Sequence, residues 1–537
     1  MAMKRGKPMS ARNEDESIDF VKKFDPEKIG VAKHALRIPD RPALIMNDTV
    51  VTYRELDRKG NALAEGLLKA GVKPGDRIAI LMHNCPEMLI IWNAAGKISV
   101  GPISINYRFK EDEIAYIVND SESKALIYGE EFEQVVDKTK SKLDSGCSIF
   151  ICSGRRPEGG ALQLEELMNP GSDAPPKIES GSYTVAPSLI YTSGTTGRPK
   201  GVFRNSKNRL NTFLGYAYNF EATYDDVDLV AGPLYHAAPF AWAAFSLVLG
   251  NTVVILPRFD PEAFLRLVEK YKVTTVWVVP TMLSRIMNLP PETRNRYDVS
   301  SIRVMTVGGE SFPFALKKKA IEYFGDGKIF EFYGGTEISC VTFLRPEDQL
   351  RKPGSCGKPA IGNEIKLLDE NKHEVPVGEV GVMYVKSPFL LDGYFKNPKA
   401  TQESYHNGYF TVGDMARVDE EGYYYIVDRA VDMIISGGVN IYPAEIEEVL
   451  YTHPDVYDVA VIGAPDPEWG EKIVAYVVLK EDARVKEKDI IEFVAEKLAS
   501  YKKPKEVIFV KQIPYLPSGK KLKRVLKEQY LENLGRS

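Results

Sequence analysis

The feature that most constrains this fold is an alternation. The chain passes from the amphipathic stretch YRELDRKGNALAEGLLKAG (53–71) to the apolar run DRIAILM (76–82), then from PEMLIIWNAAGKISV (86–100) to KALIYG (124–129). Long amphipathic stretches read as helices and short apolar runs as strands, so the alternation predicts helices layered on a parallel sheet. A second set follows, with TTVWVVP (274–280) and IRVMTVGGE (302–310) as strands. From about residue 340 the texture changes to short strands and turns, as in GYYYIVDR, which reads as a small β-rich subdomain. Beyond Arg429, AEIEEVLYTHPDVYDVAVIGAPD and KIVAYVVLKEDARVKEKDIIEFVAEKLASYKKPKEVIFV pair helices with strands again, enough for a separate α+β domain of about a hundred residues. The expected class is α/β, with a large N-terminal domain of layered α/β subdomains plus a small β-rich subdomain, and a smaller α+β C-terminal domain.

At 537 residues the chain exceeds one ordinary hydrophobic core and is long enough to bury a deep site. Its 70 Lys+Arg against 74 Asp+Glu leave a net charge of −4, which gives no basic field for nucleic acid. The five cysteines are scattered, without the close pairs of a structural zinc site, and read as reduced thiols. Ala237 to Pro257 carries no charge and approaches the roughly 20 residues that span a bilayer. Pro239, the Gly250–Asn251 break and the β-branched TVVIL after it predict instead a buried helix followed by a buried strand, and no transmembrane segment. The opening MAMKRGKPMSARNEDESIDF has no apolar core, so residues 1–28 read as a tail rather than a signal peptide, and the expected location is cytoplasmic.

One short stretch carries chemistry. In YTSGTTGRPKG (191–201) a strand-like run leads into Gly194, Gly197 and Gly201, the hydroxyls of Thr192, Ser193, Thr195 and Thr196, and Lys200. Inward backbone N–H groups, glycines free to take positive φ, hydroxyl donors and a cation are what a polyphosphate loop needs. The spacing is not that of a Walker-type loop, since Lys200 follows a proline and precedes a glycine. Taken alone, the stretch reads equally as a hydroxyl-rich surface turn.

It does not stand alone. PLYHAAP (233–239), FEFYGGTE (330–337), YFTVGD (409–414), YYYIVDRAVDMIISGGVNIYPAEIE (423–447) and LPSGKKLKR (516–524) follow in order. With the loop, this series resembles the AMP-forming, adenylate-forming superfamily of acyl-CoA synthetases, peptide-synthetase adenylation domains and firefly luciferases, over about residues 30–526. The resemblance implies domains at 29–429, binding ATP and the acyl group, and at 430–537, a smaller mobile domain carrying a catalytic lysine.

The resemblance also implies roles. Thr192, Ser193, Gly194, Thr195, Thr196 and Lys200 would hold the β- and γ-phosphates. Gly309, Glu310, Glu331, Phe332 and Tyr333 would line the nucleotide, with Tyr333 against adenine and Thr336 touching the α-phosphate. Thr192 and Glu337 would hold Mg²⁺, whose preference is for a few oxygen ligands. Asp414 would bind the ribose and Arg429 would lie near it. His236, Phe240 and Gly308 would line the acyl pocket, His236 at its carboxylate end. Lys520 would bridge the carboxylate and the α-phosphate during adenylation; a point charge on a long stem suits that task. Gly437 and Gly438 would line the path of the CoA arm, and Val431 stands at the hinge. Three positions depart from the family pattern: Val412 where threonine is usual, Val431 where lysine or aspartate is usual, and Glu310 where alanine is common.

The expected activity is an ATP-dependent carboxylate:CoA ligase with Lys520, Thr336 and His236 as catalytic residues. It would form acyl-AMP and pyrophosphate, then acyl-CoA and AMP. In HAAPFAWAAF (236–245) small alanines surround Phe240 and Trp242, an apolar trough with room, so a medium- to long-chain fatty acid is the favoured substrate. The alternatives are a benzoate- or cinnamate-type aromatic acid, and acyl transfer to a carrier protein. The expected partners are therefore a small carboxylic acid, ATP, Mg²⁺ and CoA, with a homodimer as the assembly the reading admits.

Overall fold

The computed structural model describes residues 28–534 apart from 145, 156–159, 170–173, 177–187, 193–198, 205–214, 216, 430–431, 437–438, 467–468, 482, 499 and 516–520. At 428–429 and 439–440 it describes the backbone alone. The chain divides into two compact units.

The first takes the chain up to Trp277 together with Tyr297–Val304 and Pro388–Thr401. It holds the expected parallel sheet, in the order Gly101–Ser104, Arg77–Leu81, Ser123–Gly129, Ile149–Ser153, Leu162–Gln163. The helix that leads into it, Tyr53–Lys69, starts where Thr52 and Glu55 exchange hydrogen bonds, 2.8 Å from the Thr52 N–H to the Glu55 carboxylate and 3.2 Å from the Glu55 N–H to the Thr52 hydroxyl. That reciprocal cap satisfies two donors a helix start leaves open. The next helix stops at Lys97 rather than continuing through Val100, because Ser99 turns to φ 54° and the chain re-enters the sheet at Gly101–Ser104. A second parallel set runs Thr275–Val278, Val227–Val230, Thr252–Ile255 and Pro42–Met46. The charge-free run resolves as expected. Ala237–Leu249 is a helix closed by Gly250 at φ 93°, and the strand Thr252–Ile255 is buried along its whole length. Among the described residues no helix is long and apolar enough to cross a membrane.

The second unit comprises Val278–Arg296, Met305–Ser387 and the chain from Gln402 onward. Strand Val304–Val307 runs parallel to Ile329–Gly335, and Ser339–Leu344 returns antiparallel beside it. An antiparallel sheet built on Glu364–Leu368, Gly381–Lys386, Asp414–Val418 and Tyr424–Arg429 forms the β-rich part. A further sheet centres on the long hairpin Val456–Asp466 and Gly470–Leu479. Alternate residues of that hairpin face opposite sides. Val459, Val461, Ile473, Ala475 and Val477 pack with Ile446, Leu450, Ile490 and Val494 of the helices Pro443–Leu450 and Glu487–Lys497. Ala460, Ile462, Val474 and Tyr476 pack with Leu526 and Tyr530 of the helix Lys523–Leu534. Both faces are covered, which is why the hairpin reads as a nearly continuous apolar run.

Candidate active site

In the first unit the phosphate-loop candidate springs from a hairpin. Ser188–Thr192 and Lys200–Arg204 pair antiparallel in a register that sets Thr192 opposite Lys200. A third strand, Gly393–Tyr394, joins the outer edge and brings the Tyr394 ring within 5.2 Å of the Lys200 ammonium. Ser193, Gly194, Thr195 and Thr196 lie outside the described residues.

His236 is the residue that precedes the helix Ala237–Leu249, its backbone extended at φ −89° and ψ 147°, and its ring packs 4.4 Å from that of Tyr235. It borders an apolar cavity of about 160 Å³, whose walls include Trp92, Gly96, Ser104 and Phe240. Trp92 and Phe240 meet edge to face there at 6.1 Å. Trp242, expected beside Phe240, instead turns into the core and packs on Phe220 at 4.3 Å. Helical geometry gives the reason: residues two apart on a helix face different directions. Sequence reading missed Asn84. This buried side chain accepts from the Leu234 N–H at 2.8 Å and donates to the carbonyls of Gly232 and Leu256 at 2.9 and 3.1 Å, which fixes the turn leading into His236. A lone Asn in "HNCPE" carries no pattern that would mark it.

In the second unit, Gly308, Gly309 and Glu310 leave the end of strand Val304–Val307. A Cβ on Gly308 would come within 2.6 Å of the Phe332 ring, so two predicted site residues are in direct contact where only glycine fits. Gly309 takes φ 93°. Glu310 accepts from the Thr281 N–H at 3.3 Å. Burial pushes its carboxyl up to about 7, against the opposing pull of the Lys521 ammonium. Glu331 turns into the protein, where Lys317, itself fully buried, holds its carboxylate at 2.6 Å. That ion pair engages the Glu331 side chain within the protein.

The segment YGGTE is a tight hairpin. Tyr333, Gly334 and Gly335 end one strand, Thr336 to Ile338 turn, and Ser339 begins the next at φ 56°. A Cβ on Gly334 would sit 2.0 Å from the Ser339 carbonyl oxygen, so the hairpin admits only glycine there. The turn leaves Thr336 and Glu337 half-buried. The Tyr333 hydroxyl donates to Asp414 at 2.5 Å. Asp414 follows Gly413 at φ 82° and pairs in register with Arg429 across the neighbouring strand. The side chain of Arg429, together with Val431, Gly437, Gly438 and Lys520, lies outside the described residues.

The first unit thus carries an ammonium opposite a hydroxyl, which suits an anion, and an apolar cavity. The second carries an aromatic ring tied to a buried carboxylate, which suits a nucleoside. Among the described residues no three His, Cys, Asp or Glu side chains cluster as a metal cage. The Thr192 hydroxyl in the first unit and the Glu337 carboxylate in the second are each a hard oxygen donor of the kind Mg²⁺ takes alongside phosphate oxygens and water.

The model of the family described as "AMP-binding enzyme" matches residues 31–395, and that described as "AMP-binding enzyme C-terminal domain" matches 445–520. Long-chain-fatty-acid–CoA ligase FadD13 of Mycobacterium tuberculosis is 36% identical over 487 residues, covering 90% of this chain and 94% of that protein. Feruloyl-CoA synthase of an Amycolatopsis species is 36% identical over 501 residues, covering 93% and 98%. The structure of o-succinylbenzoate CoA synthetase from Bacillus subtilis, in complex with the acyl-adenylate intermediate, superposes with a TM-score of 0.79 at 33% identity over 93% of this chain and 97% of that one.

Proposed function

The chain belongs to the AMP-binding enzyme family, and from that membership we propose that it joins a carboxylic acid to CoA at the expense of ATP, through an acyl-adenylate. The observation that carries the reading is the Tyr333–Asp414 pair, an aromatic face and a buried carboxylate linked at 2.5 Å, which matches adenine and the two ribose hydroxyls of AMP. Relatives named for CoA ligation of a fatty acid and of ferulate support the choice of acceptor.

Bringing a carboxylate to the α-phosphate sets two anions together, so the chain must neutralise charge before the bond forms. Lys200 and the backbone of the loop 192–200 would hold the β- and γ-phosphates, and Thr336 would donate to the α-phosphate. Lys520 would bridge the α-phosphate and the incoming carboxylate. The carboxylate oxygen bonds to the α-phosphorus and the bond to pyrophosphate breaks; the CoA thiolate then bonds to the acyl carbon and AMP leaves. Thr192 and Glu337 would hold Mg²⁺, which when bound adds positive charge at the phosphate oxygens. Between the two steps Lys520 must withdraw, and the proposed domains 29–429 and 430–537 provide for this, with Val431 as hinge and Gly437 and Gly438 beside the CoA arm. Hinges absorb φ/ψ change and demand no particular side chain. The cytoplasm and a homodimer complete the proposal.

His236 and Phe240 would set the acid's carboxylate end and its tail against the cavity. At about 160 Å³ the cavity is close to the engineered cavity of about 150 Å³ that holds one benzene ring. It therefore suits a single-ring benzoate- or cinnamate-type acid and, within the fatty-acid range, the medium-chain end. Acid-dependent ATP–pyrophosphate exchange over a panel of straight-chain and aryl acids, with CoA thioester formation measured alongside, tests the reading. No exchange with any acid would sink it, and exchange without a CoA product would redirect it to a carrier-protein acceptor.

A further inference from the structure

Lys521, the neighbour of Lys520, is no surface lysine. Its ammonium lies 3.3 Å from Glu447 Oε2 and 4.9 Å from the centre of the Tyr451 ring, and its side chain is 14% exposed. The other Glu447 oxygen accepts from Lys523 at 2.9 Å and from the Val461 N–H at 2.8 Å. Burial pushes the Glu447 carboxyl up, yet the two ammoniums and the amide outweigh it and hold the group below its ordinary value. Six residues earlier, the Tyr515 hydroxyl donates to both oxygens of Asp458, at 3.0 and 2.9 Å, and Tyr451 donates to the same carboxylate at 2.7 Å. Tyr515 and Lys521 face each other in an antiparallel bridge, and the Leu522 N–H donates to the Pro514 carbonyl at 2.8 Å.

The two residues that flank the segment 516–520 are therefore clamped to each other through the backbone. Each is also clamped to a carboxylate of the layer beneath, Glu447 on the helix Pro443–Leu450 and Asp458 on the strand Val456–Asp466. A buried Lys–Glu–Lys group is poorly explained by stability, because desolvation cancels most of the attraction and apolar side chains of similar size would serve as well. What such a group does supply is a fixed position. We propose that Tyr515 and Lys521 are positioning residues for adenylation, which hold the ends of the segment carrying Lys520 against Asp458 and Glu447. The proposal rests on the role given above to Lys520, whose charge is needed when acyl-AMP forms and not when CoA takes the acyl group.

A misplacement of about 1 Å costs a catalytic group on the order of 100-fold. With the acid most active in the panel, Lys521→Met should therefore lower acid-dependent ATP–pyrophosphate exchange about 100-fold and Tyr515→Phe about 10-fold. Thioester formation from CoA and the corresponding synthetic acyl-AMP should stay within about twofold in both, which also certifies that the variants fold. Lys521→Arg, which keeps the charge opposite Glu447, should recover most of the exchange. Equal loss of both half-reactions in Tyr515→Phe and Lys521→Arg, or loss of neither in Lys521→Met, would overturn the proposal while leaving the ligase reading intact. Lys520→Ala separates the two, since exchange that survives it removes the role of Lys520 itself and the proposal with it.

Discussion

Tyr333 and Asp414 are 81 residues apart in the chain, and the tyrosine hydroxyl donates to the aspartate at 2.5 Å. The ring ends one strand and the carboxylate opens another, so the bond locks two predicted nucleotide contacts into one surface. Asp414→Asn removes a charged acceptor worth about 1.5–3 kcal/mol, which should raise KM for ATP about 10- to 100-fold. Tyr333→Phe keeps the ring and frees the carboxylate, so its effect on KM should be smaller, about threefold, with kcat nearly unchanged. Steady-state kinetics at saturating acid and CoA distinguish the two, and a larger effect from the tyrosine would reverse the ranking.

Asp228 should make stability depend on pH. On the strand Val227–Val230 it is 1% exposed, and its carboxyl is pushed up to about 7, by burial first and also by the Asp226 charge, while the Thr275 and Ser246 hydroxyls pull the other way. The folded state keeps this proton to a higher pH than the unfolded chain. The group's contribution to stability is therefore complete below its ordinary value near 4 and is lost as pH rises through about 7, a change on the order of 4 kcal/mol. Asp228→Asn stays neutral throughout. Its melting temperature relative to the unsubstituted protein should rise between about pH 5 and about pH 8, and a flat difference would refute the assignment.

Much of this architecture is legible in the sequence, because alternation of helical and strand periods is a local property. The capped helix Tyr53–Lys69, the buried helix–strand pair after His236 and the later change to short strands follow from periodicity, glycine and proline alone. Motif order locates Thr192 and Lys200, Tyr333 and Asp414, and the structure sets each pair in contact or in register. Long-range relations were not legible. Nothing in the sequence says that Glu331 pairs with Lys317, that Trp242 packs on Phe220, or that Asn84 holds the turn before His236. The helix Lys523–Leu534 is equally hidden, since it opens on a lysine and an arginine while Leu526 and Tyr530 enter the core.

The Lys317–Glu331 pair should behave as a unit. With Lys317 fully buried and 2.6 Å from the carboxylate, Lys317→Met leaves Glu331 without its counter-charge and should cost about 3–5 kcal/mol. Adding Glu331→Leu removes the stranded group, so the double variant should recover most of that loss. Urea unfolding of the single and double variants gives the coupling, and additive losses would mean that the two groups do not depend on each other.

Gly96 offers the sharpest test of where the acid's tail lies. It sits on the helix Pro86–Lys97, borders the cavity beside Trp92 and Phe240, and a Cβ added to it meets no atom within 4 Å. Gly96→Leu can thus be accommodated at the cavity's border without moving the backbone and narrow it there, and replacing a helical glycine favours the fold by up to about 1 kcal/mol. Each methylene shut out of an apolar cavity forfeits about 0.8 kcal/mol. The fall in kcat/KM should therefore grow about fourfold per carbon once the tail reaches the new side chain, while the shortest acids are spared. Trp92→Ala removes the opposite wall and should shift the preference toward longer or bulkier acids. If Gly96→Leu lowers turnover of short and long acids by the same factor, the tail does not enter this cavity, and Phe240 must face it for packing alone.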